Sequence, residues 1–127
     1  MKDILIFFVD DDKLILNLMD YTFNNREGCK VKCFQSGRDC LSNLEMAPDL
    51  IVLDYYFGVE EDELSGKDIL IEIVKQDNKI PVVMFSAQEN EELIDELMTL
   101  GAWKYIRKDS FFIDTLMEAI RELPARE

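Results

Sequence analysis

The chain alternates short apolar runs with longer stretches in which apolar residues recur every three or four positions. Runs of strand length fall at Ile4–Val9, Leu50–Leu53 and Val82–Phe85, each rich in β-branched residues and each separated from the next by enough chain for a helix. Two further runs, Cys29–Phe34 and Ala102–Arg107, mix apolar residues with Lys30, Lys32, Lys104 and Arg107, as strands with one side less covered do. Between the runs, helical spacing is carried by Leu14, Ile15, Leu18 and Met19; by Leu41 and Leu44; by Ile69, Leu70, Ile73 and Val74; by Leu93, Ile94, Leu97 and Met98; and by Ile113, Leu116, Met117 and Ile120. The pattern predicts an α/β protein of five strands alternating with five helices. With the first, third and fourth strands central and the other two at the edges, the parallel doubly wound order is 2-1-3-4-5, and its switch point lies between strands one and three.

Length and composition fit one domain over residues 1–127: there is no linker, repeat or low-complexity stretch, and 48% hydrophobic residues suffice for a core. The longest apolar run is too short to cross a bilayer and no signal peptide follows it, which predicts a cytoplasmic protein without membrane contact. Cys29, Cys33 and Cys40 lack paired metal-ligand spacing and read as buried reduced thiols. There is no histidine, so any chemistry has to use carboxylates, hydroxyls or lysine. A net charge of −13 repels phosphate backbones and argues against direct nucleic-acid binding, leaving protein surfaces and cations as partners.

In open parallel sheets, ligands sit beyond the carboxyl ends of the strands. Here the first strand runs into Asp10-Asp11-Asp12, the third into Asp54, the fourth into Ser86-Ala87 and the fifth into Lys108. Neighbouring carboxylates offer the hard oxygen ligands that Mg²⁺ prefers. A lysine and a hydroxyl opposite them suit the oxygens of a phosphoryl group. Singly, each residue has an ordinary explanation: Asp12 precedes a helix and can be its N-cap, Ser86 a turn residue, Lys108 a solvated charge. Hydrophobic strands ending in Asp-Asp, Asp, Ser-Ala and Lys, in that order, are not explained by packing alone.

This set resembles the receiver domain of two-component response regulators, similar to the single-domain chemotaxis regulators, over essentially the whole chain. The resemblance implies a flavodoxin-like (βα)5 three-layer sandwich. Val9-Asp10-Asp11 resembles the family's acidic pair, Asp54 its phosphoacceptor, Ser86-Ala87 its hydroxyl and following small residue, Lys108 its lysine, and Tyr105 its aromatic switch position. By resemblance, Asp11, Asp54 and the Tyr56 backbone carbonyl would bind Mg²⁺, or Mn²⁺ in its place, with Asp10 acting mainly through a bound water. The backbone of Ala87 would join Lys108 and Ser86 around the phosphoryl group. A sensor histidine kinase or phosphotransfer protein would supply that group from a phosphohistidine, and the chain would catalyse only its own phosphorylation and dephosphorylation. Ser86 and Tyr105 would then switch the face formed by the fourth helix, fifth strand and fifth helix towards a downstream protein target. For Trp103 on that face, edge-strand packing is the expected role.

Two departures from the family pattern stand out. The loop after Asp54 is long, acidic over Val59–Leu64 and lacks the usual proline; and Asp109 follows Lys108 where the family has a proline after a cis bond, so that Asp109 could compete for the ammonium. Tyr56 and Gln88 occupy positions that tune phosphoryl lifetime in the family. A degenerate, phosphorylation-independent interaction module is the alternative reading. A phosphatase of the haloacid dehalogenase kind would need a second acid at Tyr56, and a nucleotide-binding fold would not place three aspartates after its first strand. The sequence leaves open a stand-alone regulator against a piece of a longer one, and dimerisation through the fourth-helix to fifth-helix face.

Overall fold

A computed structural model describes residues 3–55, 64–77, 79–87 and 90–124. Five parallel strands, β1 (Ile4–Val9), β2 (Cys29–Phe34), β3 (Leu50–Asp54), β4 (Val82–Ser86) and β5 (Lys104–Arg107), form one sheet in the order β2-β1-β3-β4-β5. Between and after them run α1 (Lys13–Asn24), α2 (Gly37–Ser42) with a 3₁₀ turn at Leu44–Met46, α3 (Gly66–Gln76), α4 (Glu91–Thr99) and α5 (Phe112–Arg121). The direction of progression across the sheet reverses after β2, so right-handed crossovers put α2, α3 and α4 on the face opposite α1. The apolar alternation of β1 serves both faces. Phe7 and Val9 join Ile51, Leu53, Met84, Ile69, Leu70, Ile73 and Leu97 in one core, while Ile6 and Phe8 join Val52, Phe85, Leu16, Met19, Phe23 and Leu116 in the other.

β3 and β4 are buried along their whole length, and each extends one residue beyond its apolar run, so that Asp54 and Ser86 belong to the strands themselves. β2 and β5 are the edges, as their mixed composition predicts. β5 starts at Lys104, two residues later than its apolar pattern suggests. The second helix is also shorter than expected. It stops at Ser42, and Ala47 takes a left-handed conformation (φ 55°) to turn the chain back into β3. Of the three thiols only Cys40 is fully buried; Cys29 and Cys33 are half-buried, because β2 is an edge strand. Among the described residues no helix is long and apolar enough to cross a membrane.

Candidate functional site: an acidic pocket at the carboxyl end of the sheet

Each strand delivers its site residue where the ladder ends. Asp10 follows β1 and is fixed by its own backbone, whose N–H donates to the Phe34 carbonyl (3.1 Å). Asp54 closes β3 and pairs in register with Phe85 on β4, and the Lys108 N–H donates to the Ser86 carbonyl (2.9 Å), tying the end of β5 to the end of β4. These strand-end bonds converge Asp10, Asp11 and Asp54. The three carboxylates each offer an oxygen within 4.8 Å of the others, an arrangement that fits a divalent cation. Asp10, Asp54 and Ser86 are buried, Asp11 is exposed, and Ala87 is exposed immediately after β4.

Lys108 bridges the cluster: its Nζ lies 2.9 Å from Asp54 Oδ1 and 3.1 Å from Asp10 Oδ2. The contact with Asp10 is a hydrogen bond. That with Asp54 is a close ion pair with a buried carboxylate oxygen. The other Asp10 oxygen, Oδ1, accepts from the Asp12 N–H (2.9 Å). Burial raises the Asp10 carboxyl above the usual range, with the Asp54 charge adding to it against the Asp12 N–H and Lys108. Asp11 is raised by burial and by the charge of Asp10. Burial pulls the Lys108 ammonium down, yet its contacts with Asp54 and Asp10 together outweigh this and hold it above the ordinary lysine value. Three acids facing one lysine leave negative charge uncompensated, which a hard cation would offset.

Asp12 is a helix cap: its side chain accepts from the Leu14 N–H (2.9 Å) at the start of α1. Asp109 does not compete for Lys108. Its Oδ1 accepts from the Phe111 N–H (2.9 Å) and its carbonyl from the Phe112 N–H (3.3 Å), so it closes the turn into α5 with a trans backbone, no peptide bond among the described residues being cis. Tyr105 is half-buried against the α4 side of the sheet, and Trp103 packs on the opposite core, in keeping with edge-strand packing. Tyr56, Gln88 and the acidic segment from Val59 to Glu63 lie outside the described residues.

Two site neighbours had no role assigned from the sequence, although Gly66 matches the glycine that ends the family's loop after the phosphoacceptor. A Cβ on Gly66 would stand 2.6 Å from the Asp54 carbonyl oxygen and 2.8 Å from Tyr55 Cα, so the first turn of α3 rests directly on the end of β3. The ring of Phe85 lies beneath Lys108, with Nζ 5.0 Å from its centroid. Both act through proximity between residues distant in sequence.

The family model of the response regulator receiver domain matches residues 6–121. The chain belongs to that family. As a receiver domain it is 39% identical over 114 residues to a protein-glutamate methylesterase/protein-glutamine glutaminase of Treponema denticola, covering 87% of this chain and 30% of that protein. It is 32% identical over 103 residues to the response regulator SaeR of Staphylococcus aureus, covering 81% and 43%. The receiver domain thus spans less than half the length of these relatives. Among solved structures it resembles the receiver domain of the Francisella response regulator 1452 (TM-score 0.80, 27% identity, 95% of this chain and 96% of that one). It also resembles the chemotaxis protein CheY4 of Vibrio cholerae in fold (TM-score 0.82, 22% identity, 96% and 99%). The expected order β2-β1-β3-β4-β5 and the flavodoxin-like fold are those of the receiver family.

Proposed function

We propose that this receiver domain accepts a phosphoryl group on Asp54 from the phosphohistidine of a sensor kinase or phosphotransfer protein, in a Mg²⁺-dependent reaction. One observation carries the reading: the buried Asp54 carboxylate stands 2.9 Å from Lys108 and is grouped with Asp10 and Asp11 in an arrangement that fits a divalent cation. An Asp54 oxygen attacks phosphorus in line, the P–N bond of the donor breaks, and its electron pair returns to the imidazole. Lys108 offsets charge on the transferring oxygens, and the Ser86 hydroxyl with the Ala87 backbone receives one of them. Asp11, Asp54 and the Tyr56 carbonyl would hold the ion, with Asp10, whose oxygens already accept from Lys108 and the Asp12 N–H, acting through water. Mg²⁺, or Mn²⁺ in its place, would supply charge neutralisation at the phosphoryl oxygens.

The donor has to approach over the rim of the pocket. α1 and α5 both begin at this edge of the sheet and present large exposed apolar side chains, Leu14, Leu18 and Tyr21 on α1 and Phe111 before α5. Exposed apolar side chains of this kind suit a protein donor. For the output, Ser86 moves towards the phosphoryl group and Tyr105 turns inward, a shift between two packings. Tyr105 lines a groove of about 510 Å³ with Ile94 and Met98 of α4 and Glu118 of α5, where a downstream protein would sense the change. The setting of this exchange is cytoplasmic. Intact mass after incubation with a small phosphodonor tests the proposal. A single phosphoryl adduct is expected, absent in Asp54→Asn and in EDTA. No adduct with the small donor or with phosphorylated kinases would refute it in favour of a phosphorylation-independent module.

A further inference from the structure

Lys108 follows the end of β5 and precedes an aspartate, and among the described residues its main chain is held by one bond, from its N–H to the Ser86 carbonyl. Its side chain is 24% exposed and reaches across four methylenes to two carboxylates. A flexible stem with one end fixed samples many rotamers, so something has to restrain it laterally. On the α1–α5 side of the sheet, the Phe85 ring supplies a surface: it is 4% exposed and packs against the Phe112 ring at 5.1 Å and 51°. Nζ lies 5.0 Å from the Phe85 centroid, within the range where a ring face attracts a cation. The register places Phe85 between Asp54 on β3 and Ile106 on β5. Its ring is therefore fixed in the same strand-end framework as the acceptor carboxylate.

We infer that Phe85 is a positioning residue for phosphoryl transfer, holding the Lys108 ammonium over the pocket through the face of its ring. The inference rests on the reading of Asp54 as phosphoacceptor. The ammonium is held by three bodies, Asp10, Asp54 and the ring. When Asp54 carries a phosphoryl group its oxygen no longer offers a full charge to Lys108, and the ring keeps the ammonium in place while it engages the new oxygens. Phe112 backs the ring and so belongs to the same support.

The test compares maximal rates of adduct formation from a small phosphodonor at saturating Mg²⁺. Phe85→Leu is expected to lower that rate between about twofold and thirtyfold, the range a partly desolvated cation–ring contact implies, with the Mg²⁺ dissociation constant by calorimetry unchanged. Phe23→Leu, a core change of the same kind on α1, is expected to lower melting temperature without lowering the rate. Fluorinated phenylalanines at position 85 preserve shape while draining the ring face of negative potential, and keep the test open if Phe85→Leu does not fold. Their rates should fall stepwise with fluorine number. A rate in Phe85→Leu equal to that of Phe23→Leu, or a flat or rising fluorine series, would overturn the inference. Absence of any adduct in the unaltered protein would instead defeat the phosphoacceptor reading itself.

Discussion

Gly66→Ala adds one methyl group where there is no space for it. The new Cβ would stand 2.6 Å from the Asp54 carbonyl oxygen, 2.8 Å from Tyr55 Cα and 2.9 Å from the Tyr55 carbonyl oxygen, all main-chain atoms that no rotamer change can remove. To reach the 3.4 Å of ordinary contact, α3 and the end of β3 have to part by about 0.8 Å. Overpacking of this kind costs about 1–3 kcal/mol, and relief of glycine's conformational entropy returns about 0.5–1 kcal/mol. The net loss lies within about 0–2.5 kcal/mol and centres at about 1 kcal/mol, which for a domain of this size lowers the melting temperature by about 4 °C. The displaced backbone carries Asp54, so phosphoryl uptake should slow more than stability alone explains, by about tenfold or more. Gly28→Ala is the control, because nothing lies within 4 Å of its Cβ and its cost is only that of a positive φ (87°) far from the pocket. Calorimetric melts and adduct kinetics on both variants decide it. A Gly66→Ala protein that melts at or above the unaltered one would refute the close approach and everything drawn from it.

The charge state of Asp10 sets a pH dependence in the absence of divalent ions. Its folded carboxyl titrates above its unfolded value of 3.8, so the ionised form is disfavoured in the fold and its contribution to stability falls as pH rises from that value through the folded one. Asp10→Asn should therefore melt higher than the unaltered chain at pH 7, with the gap closing below pH 4; an unchanged or lower melt at pH 7 refutes this. The thiols should react in order of exposure and of burial-raised pKa. Cys40 is pushed up to about 12 and Cys33 to about 11, both chiefly by burial, so at pH 8 each is almost wholly in the unreactive thiol form. Maleimide labelling read by mass should modify Cys29 first and reach Cys40 only on unfolding. Asp12→Ala removes the cap on the Leu14 N–H and should cost about 1 kcal/mol in urea unfolding while leaving Mg²⁺ affinity unchanged. A matching loss of Mg²⁺ binding would make Asp12 part of the ion site.

The sheet order was legible because burial on both faces makes a strand read as an unbroken apolar run, and the less covered edges admit lysine. That logic also explains the errors at the strand ends. Apolarity stops before Asp54 and Ser86, whereas backbone pairing continues through them, and β5 carries Ala102 and Trp103 outside its ladder. The convergence of Asp10, Asp11, Asp54 and Lys108 follows from topology alone once the order is known. The role of Asp109 was not legible, since an aspartate beside a lysine reads as a competitor until the Phe111 N–H is seen to occupy it. Gly66 was legible only as the glycine that ends the loop after Asp54, not for its close approach to β3, and Phe85 not at all, because it matters for a cation that arrives from beyond another strand.

Lys108 lies 98 positions after Asp10, just beyond the last strand at the sheet's edge. A ribosome therefore delivers the three acids first and their counter-charge last. Until β5 docks, the emerging protein carries an acidic cluster without Lys108 to balance it, and the contacts that settle Lys108 onto Asp10 and Asp54 form across long separations in the chain. A product truncated before β5 keeps every carboxylate yet lacks the ammonium that steadies them. Competence to react thus arrives only with β5, and the pocket vouches for the integrity of the sheet that displays it.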